Sequence, residues 1–286
     1  MTKIEFDNLL RRAYCDHCGD SSFGYPSGDS EKRYPNYFSA EAFQIFVRNM
    51  QDFYPHAYRK YAAGKGSELT PSHNAPPKMS SIASSSRFCY LSLRDGAQAL
   101  GGNYVEFEYE CRIQGIGGTA PQMDAYSSEG NIFIEVKCHE IFDKHSICLS
   151  PQYYSWLCEY PNGFRLTLPK PEANNQIQIP FSVFGMEKNS MFDVKQFLCH
   201  LMGIASKSKG QPSTLVYLFF IPRLTDPICQ IQIDHVFSKL RDEIRLLFTS
   251  SPVAYFCKAN QITLRAVAEF APVMQALTPR NMVSLY

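Results

Sequence analysis

A change of period at residue 104 constrains this 286-residue chain more than any other feature. Over Tyr104–Ile113 the residues Val105, Phe107, Tyr109, Cys111 and Ile113 alternate with Glu106, Glu108, Glu110 and Arg112, the two-residue repeat of a half-buried strand. The turn-rich GIGGTAP breaks the pattern; Gln122–Ser127 then reads as a second short strand and Asn131–Cys138 (NIFIEVKC) as a third. A tight turn centred on Glu129-Gly130 places Asp124 directly opposite Glu135. Facing residues on paired strands hold their Cβ atoms about 5 Å apart, a spacing at which two carboxylates can share one divalent cation. Lys137 lies two residues beyond Glu135 on the same face, while Ile132, Ile134 and Val136 point the other way.

Two facing carboxylates repel unless a cation, a proton or a basic neighbour intervenes. Hard oxygen ligands with room for water and phosphate suit Mg²⁺ or Mn²⁺. Such an ion polarises a phosphoryl oxygen and makes hydroxide available, with Lys137 orienting water or steadying developing charge. The competing reading is a cross-strand charge cluster on a solvated sheet face. With a turn near residues 117–118, Glu110 is expected close to Asp124 and Glu108 one pleat further away, unless all three glutamates of that strand simply face water.

The rest of the chain reads as alternating helices and strands. Residues 3–14 and 39–62 have helical spacing; the second stretch starts after Ser39 and carries Phe43, Phe46, Val47, Met50 and Phe53 on one stripe. Residues 64–80 are Gly/Ser/Pro-rich and read as a linker, and 81–99 as a helix ending at Gly101-Gly102. Residues 146–192 read as an irregular insertion. Asp193 then caps a helix with Val194, Phe197, Leu198, Leu201 and Ile204 on one face. Thr214–Ile221 (TLVYLFFI) is a central strand covered on both faces, Asp234 caps a further helix, and 253–265 is strand-like. The expected fold is an α/β sandwich, with a helical extension and linker at 1–78 preceding a domain at 79–286.

Bulk properties narrow the function classes. Lys plus Arg number 28 against 27 for Asp plus Glu, a net charge of +1, which argues against a histone-like binder and leaves a local basic cleft open. No run of about 18 apolar residues occurs, and MTKIEFDNLL carries acids where an export signal has its apolar stretch, so a cytoplasmic chain without a membrane partner is expected. The ten cysteines are scattered and read as reduced thiols. Cys15 and Cys18 form the one close pair; Cys138, His139, His145 and Cys148 are the ligands that could complete a zinc site with it, against the simpler reading of no zinc. Gly115–Gly118 lacks the Lys-Ser/Thr of a phosphate loop and reads as a hairpin loop. Cys138-His139-Glu140 lacks the Pro-Cys-x-x-Cys of a zinc deaminase. Tyr153, Tyr154 and Trp156 read either as base-stacking rings or as core anchors.

PQMDAY followed by NIFIEVKC, after a helix and a first strand and before QFLCHLMG, resembles the PD-(D/E)XK nuclease superfamily, the fold of many restriction endonucleases. The resemblance covers about residues 80–222. It is nearest to uncharacterised bacterial restriction-endonuclease-like proteins in which EVK is followed by an acidic residue, here Glu140. Pro121 and Asp124 match the first half of the motif and Glu135-Val136-Lys137 the second. Two residues separate Pro121 from Asp124, where the family pattern has them adjacent. Gln196 resembles the glutamine that several branches carry on the next helix, and His200 takes the place of their frequent tyrosine. The resemblance implies an αβββαβ core, a mixed sheet flanked by helices, and metal-dependent hydrolysis of DNA, double-stranded in the expected case, by a chain that could act as a homodimer. Asp124, Glu135, Lys137 and Gln196 are then the catalytic set, and Asp124, Glu135, Val136 and Glu110 the Mg²⁺ or Mn²⁺ set. Rival readings are a non-catalytic protein that keeps the fold and a phosphodiesterase acting on RNA. Candidate phosphate contacts are Lys195, Lys207 and Lys209 around the helix of Gln196, and Arg59, Lys60 and Lys65 before the linker.

Overall fold

The computed structural model describes residues 1–27, 30–64, 66–72, 75–118, 120–160, 162–164, 166, 176–186 and 190–286. In chain order α1 is Lys3–Cys18, β1 Phe23–Ser27, β2 Ser30–Phe38, α2 Ala40–Phe53, α3 Pro55–Ala63 and α4 Ser85–Leu93. Next come β3 Glu106–Glu110, β4 Gln122–Ser127, β5 Ile132–Lys137, β6 Cys148–Leu149, α5 Pro151–Glu159 and β7 Ile177–Gln178. Last are α6 Val194–Ser208, β8 Ser213–Pro222, α7 Pro227–Thr249, α8 Ser251–Ala259, β9 Ile262–Ala271 and β10 Met282–Ser284.

Among the described residues the main sheet is mixed and six-stranded, in the order β10-β9-β8-β5-β4-β3. The run β3-β4-β5 is antiparallel, β5, β8 and β9 are parallel, and β10 pairs antiparallel with β9. Helices flank this sheet. The apolar run of β8 explains its central place: Val216, Leu218, Phe219 and Phe220 are fully buried, each contributing about 2 kcal/mol of hydrophobic stabilisation. The turn between β4 and β5 is Ser128–Asn131, with Asn131 in the left-handed region at φ 48°. Asparagine tolerates that conformation through local side-chain hydrogen bonding.

Caps and prolines set the helix ends. Thr2 and Glu5 close a reciprocal capping box on α1, and Ser39 and Asp193 accept backbone N–H bonds at the starts of α2 and α6. The stretch 39–62 is two helices, because Pro55 disfavours helical geometry at Tyr54 and begins α3 afresh. Phe53, at the end of the expected stripe, is 74% exposed. The helix expected over 81–99 is shorter: α4 ends at Leu93, and Gly96 at φ 107° turns the chain where a Cβ would lie 2.1 Å from the Asn103 carbonyl.

Asp226, not Asp234, caps α7. Its carboxylate accepts from Ile228 and Cys229 ahead of Pro227 at the first turn, and Asp234 sits inside the helix, accepting from Gln230. The stretch 253–265 is not one strand either, since α8 occupies most of it before β9 begins. Helical spacing of Val253, Phe256 and Cys257 outweighs their β propensity there. The hairpin β1–β2 had no clear periodic signal in the sequence.

The N-terminal segment is built into the common core. Phe6 and Leu10 are fully buried, and the Tyr14 hydroxyl accepts from Met274 N–H beyond β9 at 3.0 Å. The expected linker is packed as well, with Met79 and Ser80 fully buried and Glu68 7% exposed. The insertion holds β6, α5 and β7, and Trp156 stacks on Tyr160 at 4.1 Å within it. No helix among the described residues is long and apolar enough to cross a membrane.

Candidate active site

The site grows from the point where β4 and β5 part. Their ladder pairs Ser127 with Ile132, Tyr126 with Phe133 and Ala125 with Ile134, the register expected from the turn, and then stops. Asp124 and Glu135 are the next residues on either side. Beyond the ladder Val136 donates its backbone N–H to Asp124 Oδ2 at 2.7 Å. Asp124 Oδ1 makes no hydrogen bond among the described residues.

Glu135 is 3% exposed, a placement that costs several kcal/mol unless the carboxylate is partnered. Lys137 Nζ and Gln196 Nε2 each donate to its Oε1 at 2.8 Å, and Lys137 Nζ also donates to Gln196 Oε1 at 2.7 Å. Three side chains thus close a ring. Gln196 reaches it because Asp193 fixes the first turn of α6 by accepting the Gln196 N–H. His200, one turn further, brings Nε2 to 3.7 Å from Glu135 Oε2, and its Nδ1 meets the Tyr217 hydroxyl at 3.0 Å. Burial lowers the His200 pKa and outweighs the attraction of Glu135.

Electrostatics sort the roles. Burial alone would lower the Lys137 pKa, but Glu135, Glu140 and Asp124 together hold it above the ordinary lysine range. Lys137 is therefore a fixed cation and not a base. Burial, and then the Glu135 charge, push the Asp124 carboxyl well above the carboxylate range, against Lys137 and the Val136 N–H. This pair has the repulsion that a divalent ion relieves, and its donors are hard oxygens. On both counts Asp124 and Glu135 fit Mg²⁺ or Mn²⁺. Among the described residues, however, no group of three His, Cys, Asp or Glu side chains is drawn close enough to hold an ion unaided.

The third acid differs from the expected one. β3 pairs with β4 through Glu106↔Tyr126, Phe107↔Ala125, Tyr109↔Met123 and Glu110↔Gln122, so Glu108 and not Glu110 falls opposite Asp124. Glu110 is exposed and ion-pairs with Arg112 at 3.0 Å; Glu106 pairs with Lys60. The physical reason is the register, which runs without a slip about a loop centred near residue 116 instead of 117–118; Glu108 itself sits in the left-handed region at φ 52°. The alternation breaks there: the Phe107 ring lies by Tyr61 and Tyr90, whereas Tyr109 stacks on Tyr126 at 4.1 Å. Non-glycine residues held in that region cost of order 1 kcal/mol or more and cluster at functional sites. Burial, then Glu68, then Glu135 push the Glu108 carboxyl up to about 7. Glu68 is its buried neighbour, 3.7 Å from Lys78 Nζ through Oε1, with Oε2 lacking a hydrogen-bond partner. The sequence reading names Glu108 but sets it one pleat too far from Asp124, and it misses Glu68. A strand pattern does not announce where its loop is centred, and Glu68 lies in a stretch without period.

Past β5 the chain folds over the site. Glu140 accepts the Cys138 N–H at 2.7 Å, and His145 spans the Glu140 carbonyl at 3.2 Å and Asp193 at 3.5 Å. His139 Nδ1 meets Asp7 of α1 at 2.8 Å. Cys138 is fully buried, and Cys15 and Cys18 contact Asp20 and the Tyr14 carbonyl on and beside α1. A groove beside the ring is lined by Pro121, Gln122, Tyr153, Asp193, Lys195 and Cys199. Lys195 is exposed on it. Lys207 and Lys209 do not flank it: Lys207 lies eleven residues beyond Gln196, about 16 Å along the helix, with its Nζ over the Tyr109 ring at 5.4 Å. Arg59 is exposed on α3, Lys60 is paired, and Lys65 lies outside the described residues.

Comparison with family models, with curated proteins and with solved structures returns no match to this chain.

Proposed function

We propose that this protein is a divalent-metal-dependent nuclease that hydrolyses phosphodiester bonds in double-stranded DNA, of the restriction-endonuclease-like PD-(D/E)XK kind. The observation that carries the reading is the closed ring of Glu135, Lys137 and Gln196, one residue past the last rung of the ladder that brings Asp124 alongside. A surface charge cluster would not hold Glu135 at 3% exposure, nor would it recruit a glutamine from a separate helix. With β6, α5 and β7 set aside as an insertion, the order α4, β3, β4, β5, α6, β8 is αβββαβ, which supports the reading. A bacterial, cytoplasmic enzyme able to work as a homodimer is the setting the resemblance implies.

Asp124 and Glu135 would hold Mg²⁺ or Mn²⁺, with the Val136 carbonyl as a further oxygen and Glu108 in the place first expected of Glu110. When bound, the ion supplies positive charge at a phosphoryl oxygen and hydroxide at neutral pH. Lys137, held protonated, adds fixed charge where the phosphorane-like transition state becomes more negative. Gln196 keeps the Lys137 ammonium and the Glu135 carboxylate in register and lines the groove. His200, with Tyr217 behind it, limits how far Glu135 can swing.

Incubation of supercoiled plasmid with Mg²⁺, with Mn²⁺ and with chelator tests this. Nicking or linearisation is expected with either metal, absent with chelator and absent in a folded Asp124→Asn variant. Equal cleavage by Asp124→Asn, or intact plasmid with folded wild type in both metals, contradicts the reading.

A further inference from the structure

A second groove continues the one that Gln196 lines. Gln114 and Ile116 of the loop between β3 and β4 form one wall, and Gln152, Trp156 and Glu159 of α5 the other, with Tyr160 at its end. The two grooves share both walls: the same loop supplies Pro121 and Gln122 to the first, and α5 supplies Tyr153. Tyr153 and Trp156 are three residues apart on α5, neighbours on its surface and about 4.5 Å apart along the axis. Both walls are anchored. Gln114 N–H donates to Ser206 Oγ of α6 at 2.8 Å, and Tyr154 and Leu157 are buried on the far side of α5. Trp156 is half-buried and lies nearly parallel to Tyr160, with 13° between the rings. Among the described residues, no lysine or arginine lines this second groove.

We infer that this groove takes an unpaired nucleobase next to the cleaved bond, stacked against Trp156, so that the substrate is duplex DNA with an extrahelical nucleotide at the cleavage point. The inference rests on the nuclease reading above and narrows its substrate. A groove without a cation is no place for a phosphate, whereas an aromatic ring flanked by amides suits the neutral ring and polar edge of a base. A paired base is shut inside the duplex stack, so only one that has left it reaches a wall beside the scissile phosphate. The charge of the chain agrees. At +1 overall, with Lys195 the cation on the first groove, phosphate contacts are few and stacking carries part of the binding. Glu159 is exposed and has no ion pair among the described residues, and its carboxylate can only accept. It matches the exocyclic amino group of cytosine and meets another acceptor, O4, on thymine.

Trp156 is the one tryptophan of the chain, so its emission reports on this groove alone. The probes are a short duplex with one extrahelical cytosine and the same duplex fully paired, each added to the wild type in chelator. The first should quench the emission and the second should not. In filter binding, Trp156→Ala should weaken the extrahelical duplex about tenfold and leave the paired one unchanged. Glu159→Gln keeps the tryptophan, and should abolish a preference of about fivefold for extrahelical cytosine over extrahelical thymine. Equal emission with both duplexes overturns the assignment. Emission that shifts with protein concentration and not with DNA makes the groove a contact between copies, and overturns it too. Addition of Mg²⁺ or Mn²⁺ separates this inference from the nuclease reading. Cleavage without quenching removes the base site and keeps the nuclease; quenching without cleavage keeps the base site and sinks the nuclease reading.

Discussion

Two glutamates are buried in the same sheet and are treated in opposite ways. Glu135 on β5 is 3% exposed and Glu269 on β9 is fully buried. Around Glu135 stand Lys137, Gln196 and His200, drawn from its own strand and from α6. Glu269 receives one hydroxyl, Ser92 Oγ at 3.2 Å, and its Oε1 has no partner. Burial consequently pushes the Glu269 carboxyl up to about 8. One site keeps a carboxylate next to a fixed cation in reach of a groove; the other removes the charge by holding a proton. Burial of an acid is therefore no mark of function by itself. The arrangement of counter-charge is what separates the two.

The largest effect is expected where the cation is removed. Lys137→Ala should lower DNA cleavage by at least about a hundredfold. It should also cost roughly 3 kcal/mol in urea unfolding, because Glu135 is left buried without its cation. Full activity and full stability in this variant would put Glu135 in the same class as Glu269.

Next comes a pH dependence from Glu269. Its ordinary value is 4.5 and its folded value about 8, so between these the folded protein binds a proton that the unfolded chain has released. Stability should fall as pH rises from about 5 to 8, with a slope approaching about 1.4 kcal/mol per pH unit from this group, and level off above. Glu269→Gln should flatten that fall and leave cleavage intact. An unchanged slope in urea unfolding across that range would mean Glu269 is better solvated than its burial indicates.

The smallest effect concerns the groove. Lys195→Ala should reduce the salt dependence of DNA binding by about one unit of slope, whatever the sequence bound. Lys207→Ala combined with Lys209→Ala should leave it unchanged, since Lys207 lies toward the other end of α6. Filter binding over a salt series compares the two, and the opposite ranking would move the groove.

Much of the site is legible in the sequence, for reasons of local geometry. A tight turn at Glu129-Gly130 fixes the register, and register alone brings Asp124 to Glu135. Helical spacing from the Asp193 cap puts Gln196 and His200 on one face. Glu108 takes the place expected of Glu110 because the glycine-rich loop before β4 can be centred at several positions, and composition does not reveal that it is centred near residue 116. Asp7 and Glu68 come from segments whose approach depends on long-range packing, to which no period or spacing testifies. The start of α7 is ambiguous in the sequence because Asp-x-apolar patterns recur at Asp226 and Asp234, and only Pro227 distinguishes them.

Calorimetric titration of the metal-free protein with Mn²⁺ tests the central claim most directly, because it needs no substrate. Wild type and Glu269→Gln should bind Mn²⁺ alike, while folded Glu135→Gln and Asp124→Asn should lose that binding. Undiminished Mn²⁺ binding by Glu135→Gln, or loss of binding in Glu269→Gln, would contradict the assignment of the cation to the parting of β4 and β5.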